Sequence, residues 1–487
     1  MEPRELCYLP ATQLAAAIRT KELSAIEVCD AVLYRIRQLN PRLNAYCTVT
    51  AEAARAAAHE AEVAVMRGDA LGPLHGVPFS IKDLTPTKGI RTTFGSKIFE
   101  HHIPDEDAIL VERLRADGAV LLGKTNTPEF GCKGFTDNKI FGTTYNPWHL
   151  ERTPGGSSGG AGASVAAGLG TLAEGSDLAG SIRIPASFCG VVGFKPSQGR
   201  IPRYPNRNGW NTLSVHGPIT RTVADAALMF QSMAGPDPRD PLSLPDSGED
   251  FLSVVQGDLR LKGMRVAWSP DLGGMAPVEP EVEALCSRAA HLFEAFGCHV
   301  EGASPDVHDA HEIFAVLNAS LRTASVGNYA EAWGKQMDPL LLWRLEQGRQ
   351  FTLTDVHRAE AARMALYHRV RAFFEIYDLL LLPTTGSLPY SASGGYPTQV
   401  AGRSITTPYE LLILTYIFNL TGQPAISIPA GWTPDGLPVG LQIVAPFRAD
   451  ALVLHAAAAF EAARPWHHRQ PPLDTPPPHA SFSLNFV

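Results

Sequence analysis

Residues 154–185 read "PGGSSGGAGASVAAGLGTLAEGSDLAGSIRIP" and hold nine glycines. A Gly/Ser-rich run is ordinarily a flexible linker. Large apolar segments flank this one closely, and it continues as "ASVAAGLG", which packs as a small-residue helix, into Arg183 and Pro185. A phosphate-binding loop would need a lysine directly after the glycines, and none follows. Gly156-Ser157-Ser158-Gly159-Gly160 matches GxSxG, but a nucleophile elbow joins a strand to a helix, and "NPWHLERTP" before it is no strand. The remaining reading is one site with two serines. Ala179 and Gly180, just before Ser181, let the chain turn sharply and aim N–H groups at one point, as an oxyanion hole requires.

Two hydroxyls still need a base, and the stretch contains no histidine. Lys82 is the candidate, because "GVPFSIKDL" is an apolar, strand-like run in which an ammonium is poorly solvated. Acting near neutral pH requires lowering its pKa from about 10.4 to 7–8, a cost of roughly 4 kcal/mol. Burial beside hydroxyls, with no carboxylate partner, supplies such a shift. The competing reading is a strand-end lysine that reaches solvent or pairs with Asp83, and structural lysines far outnumber catalytic ones. Cys189 is a second nucleophile to weigh, but "SFCGVVG" is the apolar context of an inert buried thiol. His101-His102, His308 with His311, and His467-His468 form no HExxH. The chemistry read here calls for neither metal nor cofactor.

Around this stretch, helices and short apolar strands alternate. Val28, Val32, Ile36 and Leu39 share one helical face, with Pro41 expected to stop the run. A second helix is expected from Ala51 to Arg67 and Gly68, and a third from Ala108 to Asp117, followed by the strand "AVLLG". "TTFGSK" reads as loop. "MRVAW", "DLLLLP", "AISIPA" and "GLQIVA" are further strands. A helix from Pro280 should bury Val282, Leu285, Ala289, Leu292 and Phe296, and "DALVLHAAAAFEAAR" forms a late helix. Strands without polar alternation imply an α/β fold, a large mixed β-sheet covered by helices on both faces. Residues 387–403, "SLPYSASGGYPTQVAGR", read as a long loop, a lid or a pocket wall.

Bulk properties bound the function. With 487 residues, 45% of them hydrophobic and 18% charged, the chain is a folded protein rather than a disordered one. A net charge of −8 without a basic run gives no reason to expect nucleic acid. No apolar run approaches the roughly 18 residues of a membrane span, and "MEPRELCYLP" is no signal peptide. The seven cysteines are scattered without a CxxC pair, as buried thiols in a reducing compartment are. The expected location is the cytoplasm.

The stretch from Gly155 to Pro196 resembles the amidase signature, and the resemblance covers most of the chain. "GVPFSIKDL", "RTTFGSK" and "LLGKTNTPEF" upstream, with "FNLTGQPAISIPAG" and "PVGLQIVAP" downstream, match the same family in order. The resemblance implies the amidase-signature fold and a Ser-cisSer-Lys triad. Lys82 falls on the base, Ser157 on the bridging serine and Ser181 on the nucleophile, with the backbone of Leu178, Ala179, Gly180 and Ser181 as oxyanion hole. Ser157 and Ser181 lie 24 residues apart, the family spacing, which selects Ser157 over Ser158. Ser158, Ser176, Asp177 and Arg183 fall on supporting positions. Family analogy puts Gly131, Cys132 and the 387–403 loop, with Tyr390 and Tyr396, at the substrate pocket. Where the family usually has two glycines before the nucleophile, this chain has Ala179-Gly180, which bears on substrate range more than on chemistry.

The implied organisation is a single domain over 1–470, with a core at about 70–215, pocket or lid insertions at about 216–410 and C-terminal core strands at about 411–470. A Pro-rich tail follows at 471–487. The implied activity is hydrolysis of the C–N bond of a neutral aryl or small hydrophobic amide, with esters and carbamates in range. Arg403 is the one cation read near the pocket loop. A carbamate hydrolase is the first alternative. A component that passes ammonia within a tRNA-dependent amidotransferase is the second, which the acidic charge and "TNTPEFG" disfavour. The expected partner is a small-molecule amide or carbamate, with no nucleic acid and no membrane, and the chain is compatible with a homodimer.

Overall fold

A computed structural model describes residues 2–206 and 208–474. Its centre is a mixed sheet of 11 strands. In chain order these are β1 (Tyr46–Val49), β2 (Pro78–Lys82), β3 (Val120–Thr125), β4 (Leu172–Asp177), β5 (Val192–Lys195), β6 (Val215–Thr220), β7 (Arg265–Trp268), β8 (His299–Gly302), β9 (Leu379–Pro383), β10 (Ala425–Trp432) and β11 (Pro438–Val444). The spatial order is β1-β3-β2-β4-β6-β5-β10-β11-β9-β7-β8. β3, β2 and β4 run parallel, as do β9, β7 and β8, and the strands between pair antiparallel. The parallel block brings Lys82, at the end of β2, beside Ser176 and Asp177 at the end of β4.

The run "DLLLLP" shows why both faces are covered. Leu379 and Leu381 join a core on one side of the sheet, whereas Leu380 and Leu382 join a separate core on the other. With no face left for water, period-2 alternation disappears from the sequence. The first core is built with helices α1 (Ala25–Leu43), α2 (Ala51–Arg67) and α3 (Pro280–Ala295). The second takes α4 (Ala310–Val326) and the helix Ile413–Leu420.

Most expected elements appear within a residue or two of their sequence bounds, and three differ for physical reasons. Pro41 lies inside α1 rather than ending it. It sits in the last turn, where Asn44 in the left-handed conformation (φ 51°) caps the helix by donating its N–H to Asn40 O at 2.7 Å. In α3 the buried stripe is Val282, Leu285, Cys286, Ala289, Ala290 and Phe293, with Leu292 and Phe296 only partly buried. A stripe stepping every 3.5 residues drifts about 20° per heptad on a straight helix, so the far end of the expected face turns outward. The 387–403 loop ends in a small hairpin, Gln399–Val400 against Arg403–Ser404, turning on Ala401 and Gly402 at positive φ.

Before residue 475 the start of the tail docks on the N-terminal helices. Leu473 is buried, and Asp474 pairs with Arg35 and Arg4. The remainder of the expected Pro-rich tail, 475–487, lies outside the described residues. No helix of the described residues is long and apolar enough to cross a membrane.

Leu380→Ala and Leu381→Ala test the two-sided burial, since each removes a fully buried side chain from a different layer. Both should lower the unfolding free energy by roughly 2–5 kcal/mol in urea titrations. A variant within about 0.5 kcal/mol of the parent would mean that its face is not packed.

Candidate active site

Residue types dictate the local turns here. Gly180 (φ 103°) has no room for a side chain, because a Cβ would lie 2.4 Å from Thr415 Oγ1. The turn it permits lets Asp177 accept from the Gly180 N–H at 2.8 Å and the Ile182 N–H at 3.1 Å. Arg183, fully buried, closes a two-pronged pair on the same carboxylate at 3.0 and 2.9 Å. Its remaining donors meet Thr415 O, Gln442 Oε1 and Asn419 Oδ1. Burial alone would push the Asp177 carboxyl up, but the Arg183 charge and its hydrogen bonds hold it well below the usual carboxylate range.

This network changes the expected oxyanion hole. The Gly180 N–H is consumed by Asp177, so it is not a donor for substrate. Among the described residues the N–H groups of Leu178, Ala179 and Ser181 meet no acceptor. Of the four N–H groups expected at the oxyanion hole, that of Gly180 is therefore turned to Asp177.

Lys82 is fully buried and its Nζ donates to Ser157 Oγ and Ser158 Oγ, each at 2.7 Å, and to Ser176 Oγ at 3.1 Å. It does not pair with Asp83, which instead accepts from the Thr93 N–H and hydroxyl. Burial pulls Lys82 down to about 7, with Arg322 adding to the effect and Glu174 and Asp177 opposing it. Lys124 and Lys195 are equally buried and also lowered by burial, to about 8 and about 7. They bond to threonine groups and to the Pro196 carbonyl, not to the serines. Contact with the serines of the signature stretch, not burial, distinguishes Lys82.

Both serine segments meet at this point. The Gly156–Ser157 peptide is cis. The Ser158 N–H donates to Ser181 O at 3.2 Å, tying the two segments together. Ser181 opens the turn into the helix Arg183–Cys189 and lines a small cavity. Leu178, Ile184, Phe314 and Leu412 give this cavity an apolar wall, and Asn318, Arg322 and Arg344 a polar one. A roomier groove between α2 and β3, lined by Ala57, Glu60, His75 and Arg115, contains none of these serines.

Gly131 and Cys132 line the same cavity, but the Cys132 side chain is buried with Met337, Leu341 and Leu345, and burial pushes its thiol up to about 12. Tyr390 and Tyr396 sit one layer behind. The Tyr390 hydroxyl donates to Gly134 O at 3.1 Å, and Tyr396 Oη accepts from the Gly134 N–H at 2.5 Å. The tyrosines therefore back the wall rather than line the cavity. Arg403 is exposed and donates to the carbonyls of Gly274 and Met275. The Cys189 thiol is buried and pushed up by burial.

Sequence reasoning missed four polar groups of the site. Glu174, fully buried, accepts from the Lys82 N–H at 3.0 Å and pairs with His216 Nδ1 at 2.7 Å. Burial pushes the Glu174 carboxyl up, but His216 and the Lys82 amide outweigh it and hold it down. Glu174 lies within the signature stretch, two residues from Ser176 along β4, and was visible as an acidic residue in an apolar strand. Arg322 and Arg344, the other two, follow no local motif.

Removing Arg183 tests the network. Arg183→Met strands a buried carboxylate and should cost about 3–5 kcal/mol in chemical unfolding. The double variant Asp177→Leu with Arg183→Met should recover part of that loss. A single-variant loss below about 1 kcal/mol would contradict the geometry described.

The family model described as Amidase matches residues 27–454. The chain is 43% identical to an acylamidase of Rhodococcus erythropolis, over 97% of this chain and 98% of the relative. It is 38% identical to a glutamyl-tRNA(Gln) amidotransferase subunit of Moorella thermoacetica, over 96% and 99%. Among solved structures it resembles a bacterial aryl acylamidase of the amidase signature enzymes, with a TM-score of 0.89 and 31% identity over 94% and 97% of the two chains. The fold, the ordered motifs and these relatives agree, and the chain belongs to the amidase family, the amidase-signature enzymes.

Proposed function

We propose that the protein hydrolyses the C–N bond of an amide through an acyl-enzyme on Ser181. One observation carries the reading: a fully buried lysine, lowered to about 7, donates to three serine hydroxyls and to no carboxylate among the described residues. A neutral amine so placed is a base at neutral pH. Lys82 takes a proton from Ser181 by way of Ser157, and Ser181 Oγ attacks the carbonyl carbon. The free N–H groups of Leu178, Ala179 and Ser181 face the developing oxyanion, a contribution of about 3–4 kcal/mol per donor in other acyl-transfer enzymes. The C–N bond then breaks, the proton returns through Ser157 to the leaving amine, and water releases the acid and restores Ser181.

The substrate we infer is an uncharged aryl or small hydrophobic amide. The acylamidase relative and the apolar side chains of Leu178, Ile184, Phe314 and Leu412 support it. The two guanidiniums of the cavity donate to loop carbonyls, which fix their position without neutralising their charge. Carbamates and esters pass through the same kind of oxyanion and belong to the expected range. A second reading, one component of a glutamine-dependent amidotransferase, draws on the Moorella relative.

The purified chain alone should hydrolyse a simple anilide, and Ser181→Ala and Lys82→Ala should each lower kcat at least a thousandfold with the fold retained. An aryl carbamate matched in leaving group should turn over at a comparable rate. Near-normal turnover by Ser181→Ala would overturn the mechanism. Activity appearing only with glutamine and partner proteins would favour the second reading.

A further inference from the structure

Beyond the triad, the wall of the site is held from a distance. Phe130 (φ 47°) and Gly131 (φ 64°) are both left-handed, which turns three successive carbonyls toward the helices behind them. Arg322, on α4, donates to Phe130 O at 2.5 Å and to Gly131 O at 3.2 Å. Arg344, on the helix Pro339–Gln350, donates to Cys132 O. Gly131 in turn runs close beside the triad, since a Cβ added there would stand 3.0 Å from Ser157 Oγ and 2.9 Å from Leu84.

Neither guanidinium has a carboxylate partner among the described residues. The acids on the same segments are committed elsewhere: Asp338 to Lys133 at 2.5 Å, and Glu129 to the Ser96 hydroxyl and the Asp338 N–H. Two positive charges therefore stand uncompensated at one wall of the cavity that Ser181 lines.

We propose that Arg322 is a positioning residue for the hydrolysis, holding the Phe130–Gly131 backbone against Ser157 and charging that wall positively. The proposal rests on the acyl-serine reading above. It also has an electrostatic consequence. The charged groups facing Lys82 are Glu174 and Asp177 from β4, which favour the ammonium, and Arg322 from α4, which disfavours it. It also meets the hydroxyls of Ser157, Ser158 and Ser176 and the Ser176 carbonyl. Around Arg322 itself stand Arg344, Cys132 and Tyr409. Removing the Arg322 charge therefore leaves the two carboxylates unopposed, and Lys82 should hold its proton to higher pH.

The test is the pH profile of kcat for anilide hydrolysis in the parent, Arg322→Met and Arg322→Lys, with thermal unfolding as a check of the fold. Activity should rise through about 7 in the parent as Lys82 loses its proton. Arg322→Met should lose at least tenfold in kcat with KM changed by less than about threefold, and its acid limb should move up by roughly half a pH unit or more. Arg322→Lys should keep the parental limb, because it keeps the charge, while recovering only part of kcat. A Met variant with parental kcat, or one whose limb stays in place or moves down, overturns the proposal. So does a Lys variant whose limb shifts as far as that of the Met variant. If Ser181→Ala also retains turnover, the acyl-serine reading fails first. If Ser181→Ala is dead and Arg322→Met is normal, this proposal alone fails.

Discussion

A lysine ammonium removed from water must be paired, or it gives up its proton. Lys82 is placed so that the second outcome is favoured. Its contacts are hydroxyls and the Ser176 carbonyl, which accept a hydrogen bond but do not neutralise a charge, and its two acidic neighbours are themselves committed. Glu174 is held by His216, Thr85 and the Lys82 amide, and Asp177 by Arg183. Much of the surrounding architecture follows from keeping these carboxylates occupied. If either were free to reach the Nζ, the pair would fix the proton and remove the base.

The Arg183–Asp177 pair therefore has two tasks. It neutralises an acid near Lys82, and it shapes the turn that carries Ser181. The second task costs one N–H, since Gly180 donates to the same carboxylate. It leaves the flanking N–H groups of Leu178, Ala179 and Ser181 without acceptors among the described residues. Ala179 is tolerated where two glycines are the commoner pattern because the left-handed residue is Gly180, and only there does a side chain collide with Thr415. Thr415 also donates to Ala179 O, so the helix Ile413–Leu420 fixes the loop from both sides.

Legibility in the sequence followed the range of the interaction. Lys82, Ser157 and Ser181 sit in compositionally unusual stretches, the lysine at the end of a largely apolar strand and the serines in the Gly/Ser-rich run. The direction of the Gly180 N–H is a matter of backbone dihedrals and of a carboxylate three residues away, which composition does not encode. Tyr390 and Tyr396, read at the substrate pocket, bond the Gly134 backbone, a contact that a loop sequence does not encode. Arg322 and Arg344 lie in helices well over a hundred residues beyond Ser181. Their importance arises from three carbonyls that two left-handed residues turn toward them, and no local pattern signals that.

The claim on which the account rests is that Lys82 is a neutral amine at the pH where the protein works. Carbon-13 labelling of lysine side chains, with the Lys82→Arg variant to assign the resonance, reads its titration directly by NMR. The account predicts a midpoint near 7 for Lys82 in the intact protein. A Lys82 resonance that stays in its protonated position up to pH 10 would contradict it.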